Sequence, residues 1–152
     1  MPNILIYKRS ELSWCLYDWA NSAFPTVIIT FIFSAYFTEI IATDKVSGTA
    51  QWAWTLSVSG LAVAFSAPIL GAIADFTGRR KPWILFFTWL CATLTWLLWY
   101  VKPDINFIFM SLVILGCANF AFEMATVFYN AMLPEIATQK YIGRLSGWGW
   151  GL

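Results

Sequence analysis

Four long stretches of the chain contain no charged side chain, and they limit the possible folds more than any other feature of the sequence. They cover residues 19–38, 46–74, 82–101 and 105–122. A helix of roughly 20 apolar residues crosses a bilayer core of about 30 Å, so each stretch is long enough for one crossing. Only 11% of the 152 residues are charged, against about 25% in soluble domains. The sequence therefore predicts an integral membrane protein.

The pattern of apolar segments predicts an all-α membrane fold with four transmembrane helices and the start of a fifth. We place the four spans at about residues 12–38, 50–74, 83–101 and 105–133. Residues 145–152 are again apolar, but at about 1.5 Å per residue they cover less than half of a crossing. We therefore expect residues 1–152 to form a partial N-terminal domain, that is, an incomplete portion of a longer protein.

The basic residues predict the orientation in the membrane. Cytoplasmic loops carry an excess of Lys and Arg. A cytoplasmic N-terminus places seven of the nine basic residues on the inside. The seven are Lys8, Arg9, Arg79, Arg80, Lys81, Lys140 and Arg144.

The composition excludes several classes of function. There is no histidine, the commonest catalytic base and zinc ligand, and the three cysteines follow no metal-ligand spacing. A net charge of +1 without a long basic run argues against nucleic acid as a partner. No set of residues indicates an enzyme, and we expect neither a metal nor a cofactor.

Two spans carry polar residues on one face, which is costly in hydrocarbon and needs a reason. In the fourth span these residues recur at i, i+4, i+7 and i+11, and in the first span they precede Pro25. Two of them are acids, and no cationic residue lies within any span. We expect the two faces to form one cavity suited to protons or to an amine-bearing or cationic solute. The residues are Asp18, Asn21, Ser22, Asn119, Glu123, Thr126 and Asn130.

A structural role for these side chains is the alternative. Glu123 could reach a loop arginine, or the polar groups could only fix helix packing. Transport by variants that lack the carboxylates of Asp18 and Glu123 would separate the two interpretations.

The segment between the second and third spans combines glycines, an acid and a basic trio. Gly71 permits close helix contact, and Gly78 permits the chain to reverse. Asp75 lies near the C-terminal end of a helix, where the helix dipole disfavours a carboxylate. We therefore expect Asp75 to have a specific partner, either a nearby arginine or the N-terminus of another helix.

This segment resembles the cytoplasmic signature of the major facilitator superfamily, Gly-x-x-x-Asp-x-x-Gly-Arg-Arg/Lys. Phe76 departs from the basic residue that is common after the Asp. Segments 13–24, 128–135 and 143–149 resemble the "unknown major facilitator" branch, which includes fungal vacuolar amino-acid effluxers. The signature matches at Gly71, Asp75, Gly78, Arg79 and Arg80.

The resemblance implies a secondary transporter with twelve helices in two similar halves, working by alternating access. Its first and fourth helices line the solute cavity, its third lies outside, and the loop Asp and Arg act as a gate. The expected partners are the lipid bilayer, a small polar solute with amino acids as first candidate, and the missing C-terminal half. Protons are a further candidate, although the fourth span lacks the arginine of the family's proton-coupled antiporters. The resemblance also implies the inner membrane of a bacterium, or a vacuolar membrane if the protein is fungal.

The sequence is also compatible with two other functions. One is a self-contained four-helix exporter of the small multidrug type, working as a dimer around Glu123. The other is a membrane scaffold subunit that transports nothing. The first does not explain the loop from Asp75 to Arg80, and measured solute flux would exclude the second.

Overall fold

The computed structural model describes residues 3–136 and 142–151, and every regular element in these ranges is helical. Four helical segments are long and apolar enough to cross a membrane. The all-α membrane fold with four spans is thereby confirmed. We call the segments span 1 (Arg9–Ile41), span 2 (Lys45–Thr77), span 3 (Lys81–Tyr100) and span 4 (Ile105–Ile136). The last helix is Ile142–Gly151.

Span 1 is built from four helical pieces. An α-helix over Asn3–Asn21 leads into a π-helix over Phe24–Phe31, with Pro25 in its first turn. Pro25 has no N–H to donate, and its ring crowds the carbonyl four residues earlier, which disfavours a regular α-helix at this position. A short α-helix and a second π-helix complete the span, over Ile32–Tyr36 and Phe37–Ile41.

Span 2 is a single α-helix with defined caps. Asp44 precedes it and accepts hydrogen bonds from the backbone N–H groups of Val46 and Ser47, at 3.0 and 2.9 Å. Hydrogen bonds from the Ser47 hydroxyl and amide lower the pKa of the Asp44 carboxyl. At the other end Gly78 adopts φ 63°, a left-handed conformation in which a side chain would be strained.

Spans 3 and 4 each combine an α-helix with a short turn of 3₁₀-helix, and span 4 is the centre of the packing. Span 4 packs most extensively against span 3 and then against span 2. The elements are an α-helix over Lys81–Leu97 and a 3₁₀-helix over Leu98–Tyr100 in span 3; span 4 contains Ile105–Phe107 (3₁₀), Ile108–Ala131 (α) and Leu133–Ile136 (α).

Small residues on span 4 allow this close packing. Ala118 and Ala121 are fully buried. A Cβ atom at Gly116 would lie 3.2 Å from the methyl group of Thr55 on span 2. Small side chains at helix interfaces let backbones approach closely where the hydrophobic effect supplies no drive. Large aromatics fill the space beside them, as Phe87 stacks on Phe128 with ring centroids 6.0 Å apart.

Spans 2 and 3 expose long apolar faces. Trp89, Trp96 and Trp99 are exposed on span 3, while Phe87 and Cys91 face the core. Span 2 also exposes large apolar side chains along its length, among them Phe65 and Phe76. In a bilayer such faces contact lipid tails without penalty. The two acids of the predicted cavity, Asp18 and Glu123, lie instead on spans 1 and 4.

Candidate functional site

A cavity of about 470 Å³ lies between span 1, span 4 and the last helix. Five of the seven residues that the sequence predicts for a solute cavity line it together. The remaining walls are mainly aromatic residues and the small residues of the last helix. The five predicted residues are Asp18, Asn21, Ser22, Thr126 and Asn130.

The cavity contains one carboxylate whose charge is not compensated within the described residues. Asp18 is half-buried, and within residues 3–136 and 142–151 its carboxylate forms no hydrogen bond or ion pair. The side-chain amides of Asn21 and Asn130 are likewise without a partner in those residues. The cavity therefore presents one negative charge and two groups that can both donate and accept hydrogen bonds.

The hydroxyl groups at the cavity are anchored to the backbone. Ser22 donates to the carbonyl of Asp18 at 2.8 Å, and Thr126 donates to the carbonyl of Phe122 at 3.0 Å. Because each hydroxyl uses its proton on a backbone carbonyl, its oxygen lone pairs remain available as acceptors.

The same arrangement continues along span 1 as a hydroxyl ladder, a name we use for Ser22, Thr26, Thr30, Ser34 and Thr38. Each hydroxyl donates to a backbone carbonyl four or five residues earlier, at 2.8 to 2.9 Å. Residues four apart lie on the same face of a helix one above the other, so each hydroxyl follows the previous one along span 1. The spacing of four that starts at Asp18 is visible in the sequence, so this signal could have extended the predicted stripe beyond Ser22.

A stacked aromatic pair holds span 1 against span 4 at the cavity. The rings of Trp14 and Tyr129 lie 4.3 Å apart with an angle of 12° between their planes. The indole N–H donates to the Tyr129 carbonyl at 3.4 Å, and the Tyr129 hydroxyl donates to the Trp14 carbonyl at 3.2 Å. These reciprocal bonds fix the distance between the two polar faces. The polar pattern of the sequence did not indicate either residue.

The last helix closes one side of the cavity through Ser146 and Gly149. A Cβ atom at Gly149 would lie 2.9 Å from the Trp14 ring and 3.0 Å from a carboxylate oxygen of Asp18. The contact with the Trp14 ring is shorter than real Cβ contacts, and the contact with Asp18 is tighter than most of them. Gly149 is therefore required for the last helix to approach span 1.

Asn119 and Glu123 do not line this cavity, although they lie on the predicted polar face of span 4. Asn119 is buried and donates to the hydroxyl of Ser59 on span 2 at 3.1 Å. Glu123 is half-buried and has no hydrogen bond or ion pair in the described part of the chain, so no described loop arginine reaches it. One helix face meets different neighbours at different depths, and the face therefore divides between the cavity and a helix contact.

Arg80 connects the loop between spans 2 and 3 to the end of span 4. Its guanidinium donates to one oxygen of Asp75 through Nη2 at 2.6 Å and through Nε at 3.0 Å. Through Nη1 it donates to the carbonyl of Ala131 at 2.6 Å and to the carboxylate of Glu135 at 2.7 Å. A positive charge also suits the C-terminal end of the helix at Ala131. The hydrogen bonds with Asp75 raise the pKa of Arg80 above its ordinary value.

The other residues of the predicted gate have separate roles in the structure. Asp75 has an arginine as its partner, which is one of the two possibilities that the sequence left open. Arg79 is exposed and forms no ion pair within the described ranges. A Cβ atom at Gly71 would meet nothing within 4 Å, so the close helix contact expected there is absent from the described structure. Within residues 3–136 and 142–151, no group of three or more acids and cysteines could hold a metal ion.

Comparison with known proteins identifies the family. The profile of the vacuole effluxer Atg22-like family matches residues 41–144. The chain belongs to this family. It is also 33% identical over 149 residues to YxiO of Bacillus subtilis (strain 168), which is named an uncharacterised MFS-type transporter. This alignment covers 96% of the chain and 34% of YxiO, so the chain spans about a third of the length of that relative. No solved structure matches the chain.

Proposed function

We propose that this chain forms part of a secondary active transporter that moves a small polar solute by alternating access. One observation carries the proposal: a member of an effluxer family holds the carboxylate of Asp18, which has no charge partner among residues 3–136 and 142–151, in a cavity between span 1, span 4 and the last helix. A charged side chain inside a span is costly and is usually retained for function. An effluxer family also points to transport rather than to catalysis.

The chemistry of the cavity lining favours a solute that carries an amino group. Asp18 supplies a negative charge, and the described lining contains no cationic side chain to neutralise it. The amides of Asn21 and Asn130 can donate hydrogen bonds to a carboxylate on the same solute. Amino acids combine both groups and are our first candidate.

The hydroxyl ladder extends the polar surface along span 1 beyond the cavity. Its hydroxyl oxygens offer a series of acceptors for a solute or for water. A polar path of this kind is needed if a charged solute is to cross without contacting hydrocarbon. Glu123, half-buried and unpaired in the described residues, is a second acid that we assign to the path or to proton movement.

The Arg80 contacts form the proposed gate. They join the loop between spans 2 and 3 to the end of span 4, so they oppose separation of these elements. In alternating access two structural repeats rock against each other around a central site. The remainder of a protein of the length of YxiO would supply the second repeat and the opposite wall of the path. We place the Arg80 end in the cytoplasm, in a bacterial inner membrane.

Transport measurements on charge-neutral variants test this function. The full-length transporter that carries this segment is reconstituted in proteoliposomes, and uptake of labelled amino acids is measured across a pH series. We expect Asp18→Asn to reduce uptake about tenfold or more, because a hydrogen bond to a charged group contributes about 1.5–3 kcal/mol. Glu123→Gln is expected to change the pH dependence of uptake.

The matched control is Glu39→Gln, an exposed acid that pairs with Lys45 at the opposite end of the spans. It is expected to leave uptake unchanged. Normal uptake with an unaltered pH profile in both Asp18→Asn and Glu123→Gln would refute the proposed site. Absence of flux for every amino acid and amine tested with the wild-type protein would refute the proposed solute class.

A further inference from the structure

A second cavity, of about 880 Å³, lies at the end of the bundle where spans 1 and 3 begin and span 4 ends. We call it the basic-end groove. Its walls are largely apolar, and two basic side chains, Arg9 and Lys81, belong to its lining. The stacked rings of Trp14 and Tyr129 line both this groove and the first cavity, so they separate the two. The apolar lining includes Ile84, Leu85, Met132 and Ile136.

Positive side chains outnumber negative ones in the lining of the basic-end groove. Arg9 and Lys81 are exposed, and neither forms an ion pair or hydrogen bond within residues 3–136 and 142–151. Glu135 also lines the groove, but its carboxylate is already bonded to Arg80 at 2.7 Å. The α-helix of span 3 begins at Lys81, and a helix N-terminus carries a partial positive charge.

We propose that the basic-end groove binds an acidic phospholipid, with its phosphate at Arg9 and Lys81 and one acyl chain along the apolar wall. Span ends lie at the depth of lipid headgroups, and basic pockets between membrane helices bind acidic headgroups there. A soluble phosphate could bind the two basic side chains but would leave the apolar wall in contact with water. A neutral lipid could pack its acyl chain on the wall but would leave the two positive charges uncompensated.

The position of the groove gives the bound lipid a structural consequence. It contacts the starts of spans 1 and 3 and the end of span 4, so its binding holds three elements together. A ligand that binds only the folded state raises the unfolding temperature. Lipid preference can therefore be measured on the chain itself, independently of any transport activity.

The experiment measures the thermal unfolding of the purified, delipidated 152-residue chain in dodecyl maltoside by intrinsic tryptophan fluorescence. Phosphatidylglycerol and phosphatidylcholine with the same acyl chains are compared at equal mole fraction. Inorganic phosphate and the chain-free headgroup glycerophosphoglycerol are tested in parallel. We expect phosphatidylglycerol to raise the unfolding temperature by several degrees more than phosphatidylcholine, and the two chain-free anions to have no comparable effect.

Variants localise the effect to the groove. The phosphatidylglycerol preference is the difference in unfolding temperature between the two lipids. We expect Arg9→Gln/Lys81→Gln to lose at least half of this preference. The charge-matched control Lys45→Gln/Lys102→Gln, at the opposite end of the spans, is expected to keep it. Arg9→Lys/Lys81→Arg, which retains both charges, is also expected to keep it, and native mass spectrometry of the wild-type chain counts the bound lipid.

Three results would overturn the proposal. The first is an equal response to both lipids. The second is an equal response to phosphatidylglycerol and inorganic phosphate, which would indicate a site for a soluble anion. The third is an undiminished preference in the folded Arg9→Gln/Lys81→Gln variant.

Discussion

Asp18, Asn119 and Glu123 are polar residues within spans, yet each has different surroundings. Asp18 faces a cavity, Glu123 is half-buried without a partner in the described ranges, and Asn119 is buried against Ser59. A buried amide that is hydrogen-bonded to a neighbouring helix stabilises packing, whereas an unpaired carboxylate at a cavity is available to a solute. The side-chain partner therefore distinguishes a structural residue from a candidate solute-binding residue.

A double-mutant cycle measures the coupling energy between Asn119 and Ser59, which form a hydrogen bond. We expect Asn119→Ala and Ser59→Ala to show a coupling energy of about 0.6 kcal/mol, with an upper limit of about 1.7, as found for hydrogen bonds between membrane helices. The measurement is the free energy of unfolding of the chain in mixed micelles. Thr126→Ala paired with Ser59→Ala is the control and is expected to show no coupling. Additive effects of the two primary substitutions would contradict the assigned contact.

Gly149 and Gly147 offer a matched pair on the last helix. A methyl group at 149 would lie within 3.0 Å of Trp14 and Asp18, whereas a methyl group at 147 would meet nothing within 4 Å. We expect Gly149→Ala to cost about 1–3 kcal/mol through overpacking. Gly147→Ala is expected to be neutral or stabilising by up to about 1 kcal/mol, because alanine favours a helix. The measurement is the thermal unfolding of the two variants. Equal unfolding temperatures would contradict the close approach of the last helix to span 1.

At the scale of elements, the positions of the spans could be predicted from the sequence more readily than the contacts between spans. Charge-free length is a local property, so four spans could be derived from composition along the chain. The Trp14–Tyr129 stack joins residues that are 115 positions apart, and no local pattern reveals such a contact. The polar face of span 4 was also visible, but its division between a cavity and span 2 depends on how the helices cross.

The cap of span 2 predicts a dependence of stability on pH. The pKa of Asp44 is lowered in the folded state by its bonds to Ser47 and Val46. The cap is therefore fully stabilising above the carboxyl's unfolded pKa of about 3.9 and is lost as pH falls through the lower folded value. We expect Asp44→Ala to lower the unfolding temperature at pH 7, with a difference that disappears in strong acid. Thr43→Ala, at the adjacent exposed position, should show neither effect. A difference that is constant with pH would contradict the cap.

At the scale of the molecule, two regions with charged side chains adjoin at the Trp14–Tyr129 pair. On one side lies the cavity with Asp18, and on the other lies the basic-end groove with Arg9 and Lys81. The Arg80 contacts lie beside the groove, because Glu135 belongs to both. A change at the loop between spans 2 and 3 can therefore reach the cavity through only a few packed residues.

This arrangement predicts how loss of Arg80 affects access to the cavity. Arg80→Gln removes the ion pairs with Asp75 and Glu135 and places a shorter, neutral group at the Ala131 carbonyl. In the longer transporter that we propose, we expect the end of the bundle at the basic-end groove to open more often. A single reporter cysteine at Asn130, in a background without native cysteines, is labelled with a membrane-impermeant maleimide. The labelling rate is expected to rise several-fold.

Arg79→Gln is the matched control, because it removes the same charge one residue earlier from a side chain without an ion pair in the described structure. It is expected to leave the labelling rate unchanged. A general loss of folding would also expose the reporter, so the unfolding temperature of each variant is measured beside its labelling rate. If Arg80→Gln and Arg79→Gln label at the same rate while both remain folded, Arg80 does not hold the basic end closed. A rise confined to Arg80→Gln would instead show that its contacts to span 4, rather than the basic charge of the loop, control access.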